Sequence, residues 1–367
     1  MSRPSSVRWR VLALLVTASA VGYLLRINVS IAGTAMATDL GLSATQLGII
    51  LSAFAWSYGI LQIPGGAFAE AVGARRALTV TMVGWGVVTL VTALLPGSPA
   101  LAPTVSVTLL VTVRLALGAL QAPFYPLYSG SVTARWLPPS RWAFANGLGS
   151  TGLTLGAAAA GPLLAWLVGL LGWRQAFAVT APLGFLLALV WWRYFRDDPA
   201  DHRGVSASEL ALIRADQPPS VAQPSAGHGW RSVLTDRDLL SLTASYFCMN
   251  YVFYLFFNWF YYYLIEVRKL PAQAGGNFTG AQWIVGAIAA TLGGLICDRL
   301  SARYGIRFGT RVTAMTGLLG TAPLLLAGAF APSPAMAVVF LSLSFGFTQL
   351  TEGAFWTATM RIAGARA

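Results

Sequence analysis

Long stretches of mostly apolar residues alternate with short polar segments along the whole chain. A helix needs about 20 such residues to cross the hydrocarbon core of a bilayer. The pattern therefore predicts ten membrane-spanning helices. Their predicted bounds are Leu12–Met36, Gln46–Ala69, Ala77–Leu95, Ser106–Tyr125, Ala143–Leu171, Ala176–Phe195, Leu239–Ile265, Gly275–Ile296, Thr310–Phe330 and Ala335–Met360.

A polar segment rich in Pro, Ser, Asp and Arg interrupts this pattern after the sixth span. Its composition indicates a linker, with one amphipathic helix predicted around Ser206–Arg214. We therefore predict a six-helix bundle in residues 1–196, a cytoplasmic linker in residues 197–237 and a four-helix bundle in residues 238–367. The expected fold class is an all-α membrane protein of two helical bundles.

Composition and charge agree with a membrane protein. Of the 367 residues, 56% are hydrophobic and 10% charged, whereas a soluble domain has about 25% charged residues. With the N-terminus placed in the cytoplasm, 19 of the 24 Lys and Arg residues fall inside and three outside. This bias predicts that both termini are cytoplasmic in a multi-pass inner (plasma) membrane protein. The net charge of +12 then reflects topology and contact with the lipid bilayer, not a nucleic-acid partner.

Other functional classes find little support in the residues. Cys248 and Cys297 lie within predicted spans as small apolar residues, and His202 and His228 lack ligand spacing, so no metal or cofactor is predicted. The chain has no P-loop pattern, which disfavours a nucleotide-driven pump. An enzyme is not expected either, because the spans contain no nucleophile–base pair.

An internal repeat relates the two halves. Gly66–Glu70 ends the second span, and the similar stretch Gly294–Asp298 ends the eighth. Gln121–Tyr125 in the fourth span is similar to Glu352–Trp356 in the tenth, and the separation along the chain is nearly the same in both pairs. Two matches at nearly one offset predict parallel halves related by an axis along the membrane normal.

The loop after the second span has a pattern of glycines, an acid and two arginines that is partly repeated after the eighth span. Glycines allow close helix approach, the acid can meet a helix N-terminus, and the arginines can meet a carboxylate. Such a loop can hold one conformation of a rocking carrier; the alternative is a tight turn followed by ordinary cytoplasmic arginines. The residues of this predicted conformational latch are Gly66, Glu70, Gly73, Arg75, Arg76, Asp298 and Arg299.

Three charged residues lie deep within predicted spans. Arg26 and Arg114 fall near mid-depth, where an arginine costs at least about 2.5–3.5 kcal/mol and should face a wet cavity or a partner. A guanidinium offers a bidentate fork to a carboxylate, so both are candidate substrate ligands; the alternative is a structural bond to backbone carbonyls. Glu352 is the candidate proton carrier, since burial disfavours its ionised form; a structural salt bridge is the alternative.

Polar and aromatic residues at related depths complete the candidate site. Tyr254 and Asn258 occupy repeat positions of Arg26, and Tyr23 and Tyr58 are similar candidates in the first half. Several other aromatic residues near the outer end of the seventh span fit an interfacial belt instead.

The two loops resemble the signature loop of the major facilitator superfamily. More narrowly, the chain resembles its anion:cation symporter family, on stretches such as Tyr23–Ala32, Trp56–Gly66, Arg114–Pro123 and Gly172–Phe177. The resemblance implies alternating access around a cavity lined by spans 1, 4, 7 and 10. It also implies that the substrate is a small organic anion, such as a sugar acid or another carboxylate. Transport would be coupled to protons or to another ion. Arg26 would bind the carboxylate, while Tyr23, Tyr58, Gln121, Tyr254 and Asn258 would orient its hydroxyl groups.

Two departures from this family leave an alternative open. The family's carriers have twelve helices, against ten predicted here. Its sugar-acid symporters often have an Asp before the first-span arginine and a Glu near the fourth-span Ala-Pro, where this chain has Leu25 and Gln121. Neither residue can take up a proton. The alternative to a transporter is a non-transporting relic or regulatory membrane module.

Overall fold

The computed structural model describes residues 4–97, 102–215, 217 and 235–363. Within these ranges the backbone is helical, with short turns between helices. Residues 216 and 218–234 of the predicted linker lie outside the described part. The helices of eight or more residues are α1 Val7–Leu40, α2 Ala44–Ile60, α3 Gln62–Val72, α4 Ala74–Leu94, α5 Pro103–Gln121, α6 Trp142–Leu171, α7 Trp173–Thr180, α8 Pro182–Tyr194, α9 Ala207–Arg214, α10 Arg237–Tyr262, α11 Ala272–Tyr304, α12 Ile306–Ala329, α13 Pro334–Leu350 and α14 Glu352–Ala363.

Nine helical segments within the described ranges are long and apolar enough to cross a bilayer. The second predicted span is instead a bent pair, Ala44–Ile60 and Gln62–Ala69, with a bend of 53°. Pro64 explains this break, because proline lacks a backbone N–H and its ring clashes with the carbonyl group four residues earlier, that of Ile60. The prediction of ten spans is confirmed when this pair is counted as one broken span.

Several spans extend beyond their apolar stretches. The fourth, predicted to end at Tyr125, is helical over Thr104–Trp136 and includes a π-helical turn at Leu127–Thr133. The eighth, predicted to end at Ile296, extends to Tyr304. The predicted ends were too early because hydrophobicity marks where the bilayer stops, whereas backbone hydrogen bonding continues the helix into water.

The contacts divide the chain into two compact units, each named after a charged residue that it contains. The Arg26 unit comprises Trp9–Val132 and Ala159–Gly204, and the Glu352 unit comprises Met1–Arg8, Thr133–Ala158 and Val205–Ala367. Buried apolar side chains form the core of each. In the Arg26 unit they include Met36, Ile50, Leu110, Trp173 and Phe177; in the Glu352 unit they include Met249, Phe253, Phe256, Phe260 and Phe345.

The amphipathic linker helix is confirmed as α9, and its N-cap is Ser206, whose hydroxyl group accepts a hydrogen bond from the backbone N–H of Glu209 at 3.2 Å. The Glu209 side chain is fully buried. It accepts hydrogen bonds from the backbone N–H groups of Val7 and Arg8, each at 3.2 Å. These N–H groups are the unsatisfied donors at the start of α1. The linker therefore caps the first membrane helix.

A matched pair of glycines gives a third sign of the internal repeat. Gly73 and Gly305 are separated by nearly the same stretch of chain as the other repeat pairs, have φ values of +86° and +88°, and each immediately precedes a helix. Two residues later, Arg75 donates hydrogen bonds to the carbonyl oxygen of Trp192 at the end of α8, at 2.6 and 3.0 Å. Its counterpart Arg307 lines a groove of about 670 Å³ between α10, α12 and α14. The backbone conformation of the loop is therefore repeated in the two halves, but the contacts of the arginine that follows it are not.

Candidate functional site

Arg26 lies in the middle of α1 with its guanidinium group among three aromatic rings. Its Cζ atom is 5.0 Å from the ring centroid of Tyr23, 4.4 Å from that of Phe54 and 5.0 Å from that of Tyr58. One Nη atom also donates a 3.1 Å hydrogen bond to the Tyr23 hydroxyl group. A desolvated cation–π contact contributes on the order of 2 kcal/mol, so these rings stabilise the charge and fix the plane of the fork.

Arg114 has a different environment on α5. It is buried, and one Nη atom donates a 3.0 Å hydrogen bond to the backbone carbonyl oxygen of Arg26. Its Cζ atom lies 5.2 Å from the centroid of the Phe54 ring, and its Nε atom has no hydrogen-bond partner among the described residues. This geometry favours positioning of α1 over direct contact with substrate. The predicted substrate contact of Arg114 stays a prediction.

Gln121 makes a second bond from α5 to the backbone of α1. Its Nε2 atom donates a 2.8 Å hydrogen bond to the carbonyl oxygen of Gly22. An ionised glutamate could not donate this bond, which gives a physical reason for an amide at this position. Leu25, next to Arg26, is completely buried.

A small cavity of about 10 Å³ lies beside Arg26 and has room for about one water molecule. This volume is too small for a sugar acid, the substrate class that the family resemblance implies. Tyr23, Arg26, Tyr58 and Gln121, all predicted site residues, line the cavity together. Its remaining lining residues are Ser19, Gly22, Trp85, Phe124 and Tyr125.

Some of these neighbours were not predicted, although for three of them the spacing in the sequence carries a signal. Phe54 precedes Tyr58 by one helical turn, and Tyr125 follows Gln121 by one turn. Ser19 lies two turns before Arg26, and its hydroxyl group is 2.7 Å from that of Tyr125. Trp85 is the exception, because it comes from α4 and no spacing in the sequence connects it to α1.

Glu352 begins the last helix of the Glu352 unit. The helical hydrogen bonding of the tenth span breaks at Thr351, which separates α13 from α14. The Glu352 carboxylate is therefore in the first turn of α14, where the positive end of the helix dipole stabilises negative charge. The Tyr246 hydroxyl group donates a 3.4 Å hydrogen bond to it. The coupling role of Glu352 stays a prediction.

Aromatic residues of α10 and of the π-helical turn after it, Tyr263–Val267, include an exposed stripe and side chains that form hydrogen bonds within the unit. Phe247, Tyr251, Tyr254 and Tyr261 are exposed at helical spacing and form one stripe. Tyr246 and Tyr263 instead bond within the unit, to Glu352 and to Arg268. Tyr254 therefore remains a candidate for substrate contact, and the side chain of Asn258 lies outside the described part of the structure.

The second copy of the predicted latch contacts the start of α6. The carboxylate of Asp298 accepts hydrogen bonds from the backbone N–H groups of Ala143 at 3.1 Å and Phe144 at 3.0 Å. The helices touch at Gly294, where a Cβ atom would lie 2.5 Å from the Ala143 carbonyl oxygen. Arg299 points to the surface and is exposed. The contact between these two helices therefore depends on a small residue and a buried carboxylate.

The first copy of the latch is arranged differently. Asp197 accepts a 2.9 Å hydrogen bond from the backbone N–H of Arg75, so an acid from the segment after α8 contacts this loop. Arg76 is exposed, and Gly66 has room for a Cβ atom, with its closest neighbour, Pro126, at 3.8 Å. The side chain of Glu70 lies outside the described residues. The conformational role of this set stays a prediction.

Relatives of known or assigned activity are similar over almost the whole chain. The probable sulfoacetate transporter SauU of Cupriavidus necator is 31% identical over 345 residues, which cover 94% of this chain and 77% of that protein. The hexuronate transporter of Bacillus subtilis is 29% identical, with 94% and 78% covered. The D-galactonate transporter of Escherichia coli is 27% identical, with 95% and 81% covered.

Solved structures show the same fold. The proton:xylose symporter XylE matches with a TM-score of 0.70 at 14% identity, covering 98% of this chain and 84% of that one. A bacterial homologue of the human lysosomal transporter Spinster matches with a TM-score of 0.59 at 21% identity, covering 98% and 76%. The family profile of the Major Facilitator Superfamily matches residues 13–367. The chain is a multi-pass membrane protein that belongs to the Major Facilitator Superfamily.

Proposed function

We propose that this protein is a secondary active transporter that carries small organic anions across the plasma membrane by alternating access, with both termini in the cytoplasm. The observation that supports this most is Arg26, a guanidinium held by three aromatic rings in the middle of a membrane helix. A cation placed there at a cost of several kcal/mol fits an anionic substrate. Sulfoacetate, hexuronates and galactonate, which the relatives' names give, are the candidate substrates.

The substrate's carboxylate or sulfonate would form two parallel hydrogen bonds with the Arg26 fork. Tyr23 and Tyr58, whose rings contact the guanidinium, would offer hydroxyl groups to the substrate. Arg114 and Gln121 would keep α1 in place through its backbone carbonyl groups. Chemical modification of the substrate is not required at any step.

Coupling would use Glu352, because Leu25 and Gln121 cannot accept a proton. The protonated carboxyl group is neutral and compatible with a closed, dry cavity, whereas the ionised form repels an incoming anion. Proton and substrate would therefore bind together, which is the linkage that a symporter needs.

Reconstitution of the full chain in proteoliposomes tests transport. We expect labelled galactonate, hexuronate or sulfoacetate to exchange with unlabelled substrate and to accumulate under an inward proton gradient. Failure of all these anions to exchange or bind would refute the proposed substrate class.

Glu352→Gln tests coupling separately. It removes the titratable group with little change in shape, so accumulation driven by the pH gradient should disappear while exchange continues. Tyr246→Phe, which removes the hydrogen-bond donor to Glu352 but no titratable carboxyl, is the matched control and should retain accumulation. Accumulation by Glu352→Gln at the wild-type level would show that Glu352 is structural.

A further inference from the structure

The Glu352 unit contains a groove that takes no part in the proposed transport mechanism. It has a volume of about 670 Å³ and lies between α10, α12 and α14. Its lining extends from Ile306, at the start of α12, to Leu318, which lies about 18 Å further along the same helix. We call it the Arg307 groove.

The two ends of the Arg307 groove differ in their chemistry. The helices α10 and α12 begin, and α14 ends, on the side of the membrane where the linker lies. At this end the groove is lined by Arg307, Arg311 and Arg361. Further along the helices the lining is mostly apolar and includes Met315 and Leu318. A groove that is cationic at the membrane surface and apolar inside fits an amphipathic anion.

The three arginines have no acidic partner within the protein. Among the described residues, neither Arg307 nor Arg311 forms a salt bridge. The Cζ atom of Arg361 lies 4.8 Å from the ring centroid of Trp142, and its buried Nε atom has no hydrogen-bond partner in the part of the chain that is described. These guanidinium groups are therefore able to donate hydrogen bonds to a ligand.

Two acids, Asp236 and Asp238, also line the groove near its cationic end. The carboxylate of Asp236 caps α10, since it accepts hydrogen bonds from the backbone N–H groups of Asp238 at 3.0 Å and Leu239 at 3.1 Å. Three arginines and two acids leave a net charge of +1 at this end. A phosphodiester group with a single negative charge balances it.

The size of the Arg307 groove favours an acyl chain over a protein helix. A helix with its side chains is about 10–12 Å across, so an 18 Å length of it occupies roughly 1,400–2,000 Å³. This is at least about twice the volume of the groove, which is about 670 Å³. An extended acyl chain is much narrower and can lie along the apolar part of the lining.

We propose that the Arg307 groove binds one anionic phospholipid, with its phosphate on Arg307, Arg311 and Arg361 and one acyl chain along α12. A guanidinium group suits a phosphate because it donates two parallel hydrogen bonds. The groove opens toward the predicted cytoplasmic leaflet, and this leaflet is the one in which anionic lipids give a negative surface potential. The site lies in the Glu352 unit and is independent of substrate binding at Arg26.

Native mass spectrometry of the purified full chain, freed of co-purified lipid, tests the proposal. Phosphatidylglycerol is the probe, and phosphatidylcholine is the comparison, because its cationic group cancels the charge of the same phosphate. We expect one phosphatidylglycerol to bind about fivefold more tightly than phosphatidylcholine. Arg311→Gln and Arg361→Gln should each weaken phosphatidylglycerol binding about fivefold, the usual contribution of one basic residue at an anionic membrane surface.

Two further variants make this measurement specific to the groove. Arg303→Gln is the matched control, because Arg303 is exposed at the same side of the membrane but does not line the groove; its affinity should be unchanged. Ala358→Phe keeps every charge and places a ring in the groove, so it should weaken binding of phosphatidylglycerol. Arg311 is exposed, so Arg311→Gln leaves the core intact, and the melting temperature without lipid checks the folding of each variant.

Equal affinity for the two lipids would overturn the proposal, because the net charge of the headgroup would then not matter. Equal weakening in Arg303→Gln and Arg311→Gln would show a general effect of surface charge, and unchanged binding in Ala358→Phe would show that no lipid enters the groove. Either result also overturns the proposal. A dimer that excludes lipid would identify the groove as a contact between two copies of the chain instead.

Discussion

The contact between Asp298 and the start of α6 permits a quantitative prediction for the variant Asp298→Asn. Asparagine keeps the shape of the side chain but retains one acceptor oxygen, and it loses the negative charge. Of the two hydrogen bonds, to the N–H groups of Ala143 and Phe144, one is therefore lost and the other weakened. The favourable interaction with the helix dipole also disappears.

A hydrogen bond to a charged group contributes about 1.5–3 kcal/mol. A free-energy change of about 1.4 kcal/mol alters an equilibrium constant roughly tenfold. The fraction of molecules in which this contact is open should therefore rise by about 10- to 100-fold in Asp298→Asn.

Cys297 gives a native probe of this opening. Its thiol is buried in a cluster with Ala143 and Ala354, next to Asp298. The chain has two cysteines, so Cys248→Ser leaves Cys297 as the single thiol. Labelling by N-ethylmaleimide, followed by mass spectrometry of the intact protein, should accelerate by the same factor of about 10 to 100, because labelling requires the open form.

Two further variants make the measurement specific. Gly294→Ala keeps the carboxylate but forces a Cβ atom against the Ala143 carbonyl oxygen, so it should also accelerate labelling. Asp201→Asn changes an exposed carboxylate in the linker and should have no effect. If the labelling rate is unchanged in both Asp298→Asn and Gly294→Ala, this contact does not hold α6 and α11 together.

Three further predictions concern binding, topology and the linker. Arg26→Lys should weaken anion binding by about 1–3 kcal/mol in isothermal titration, because one ammonium group cannot reproduce the bidentate fork; unchanged affinity would remove Arg26 from the site. In a cysteine-free background, Ser333→Cys should react with an impermeant thiol reagent added to intact cells and Ala207→Cys should not, and the reverse pattern would overturn the predicted orientation. Glu209→Ala should lower the melting temperature in detergent, because it leaves buried N–H groups at the start of α1 without an acceptor, whereas the exposed neighbour variant Ala211→Ser should not.

The sequence by itself determined the membrane class, the approximate position of every span and the linker helix at Ala207–Arg214. It could do so because the cost of placing polar groups in hydrocarbon acts on each segment separately, whatever its neighbours are. The N-cap at Ser206 and the break at Pro64 are also local effects of single residues on their own backbone, but they were not predicted and emerged only in the structure.

The tertiary structure alone decided what the buried polar residues contact. Arg26 and Arg114 are similar in sequence, each a single arginine in an apolar span, yet one lies among aromatic rings and the other bonds to a backbone carbonyl. The partner of Gln121 could not be predicted from the sequence either, because the Gly22 carbonyl oxygen is 99 residues away in the chain. A span that is apolar on all sides carries no amphipathic signal for the face that meets another helix. In a bilayer that face is chosen by close packing and interhelical hydrogen bonds, which exist only once the helices are assembled.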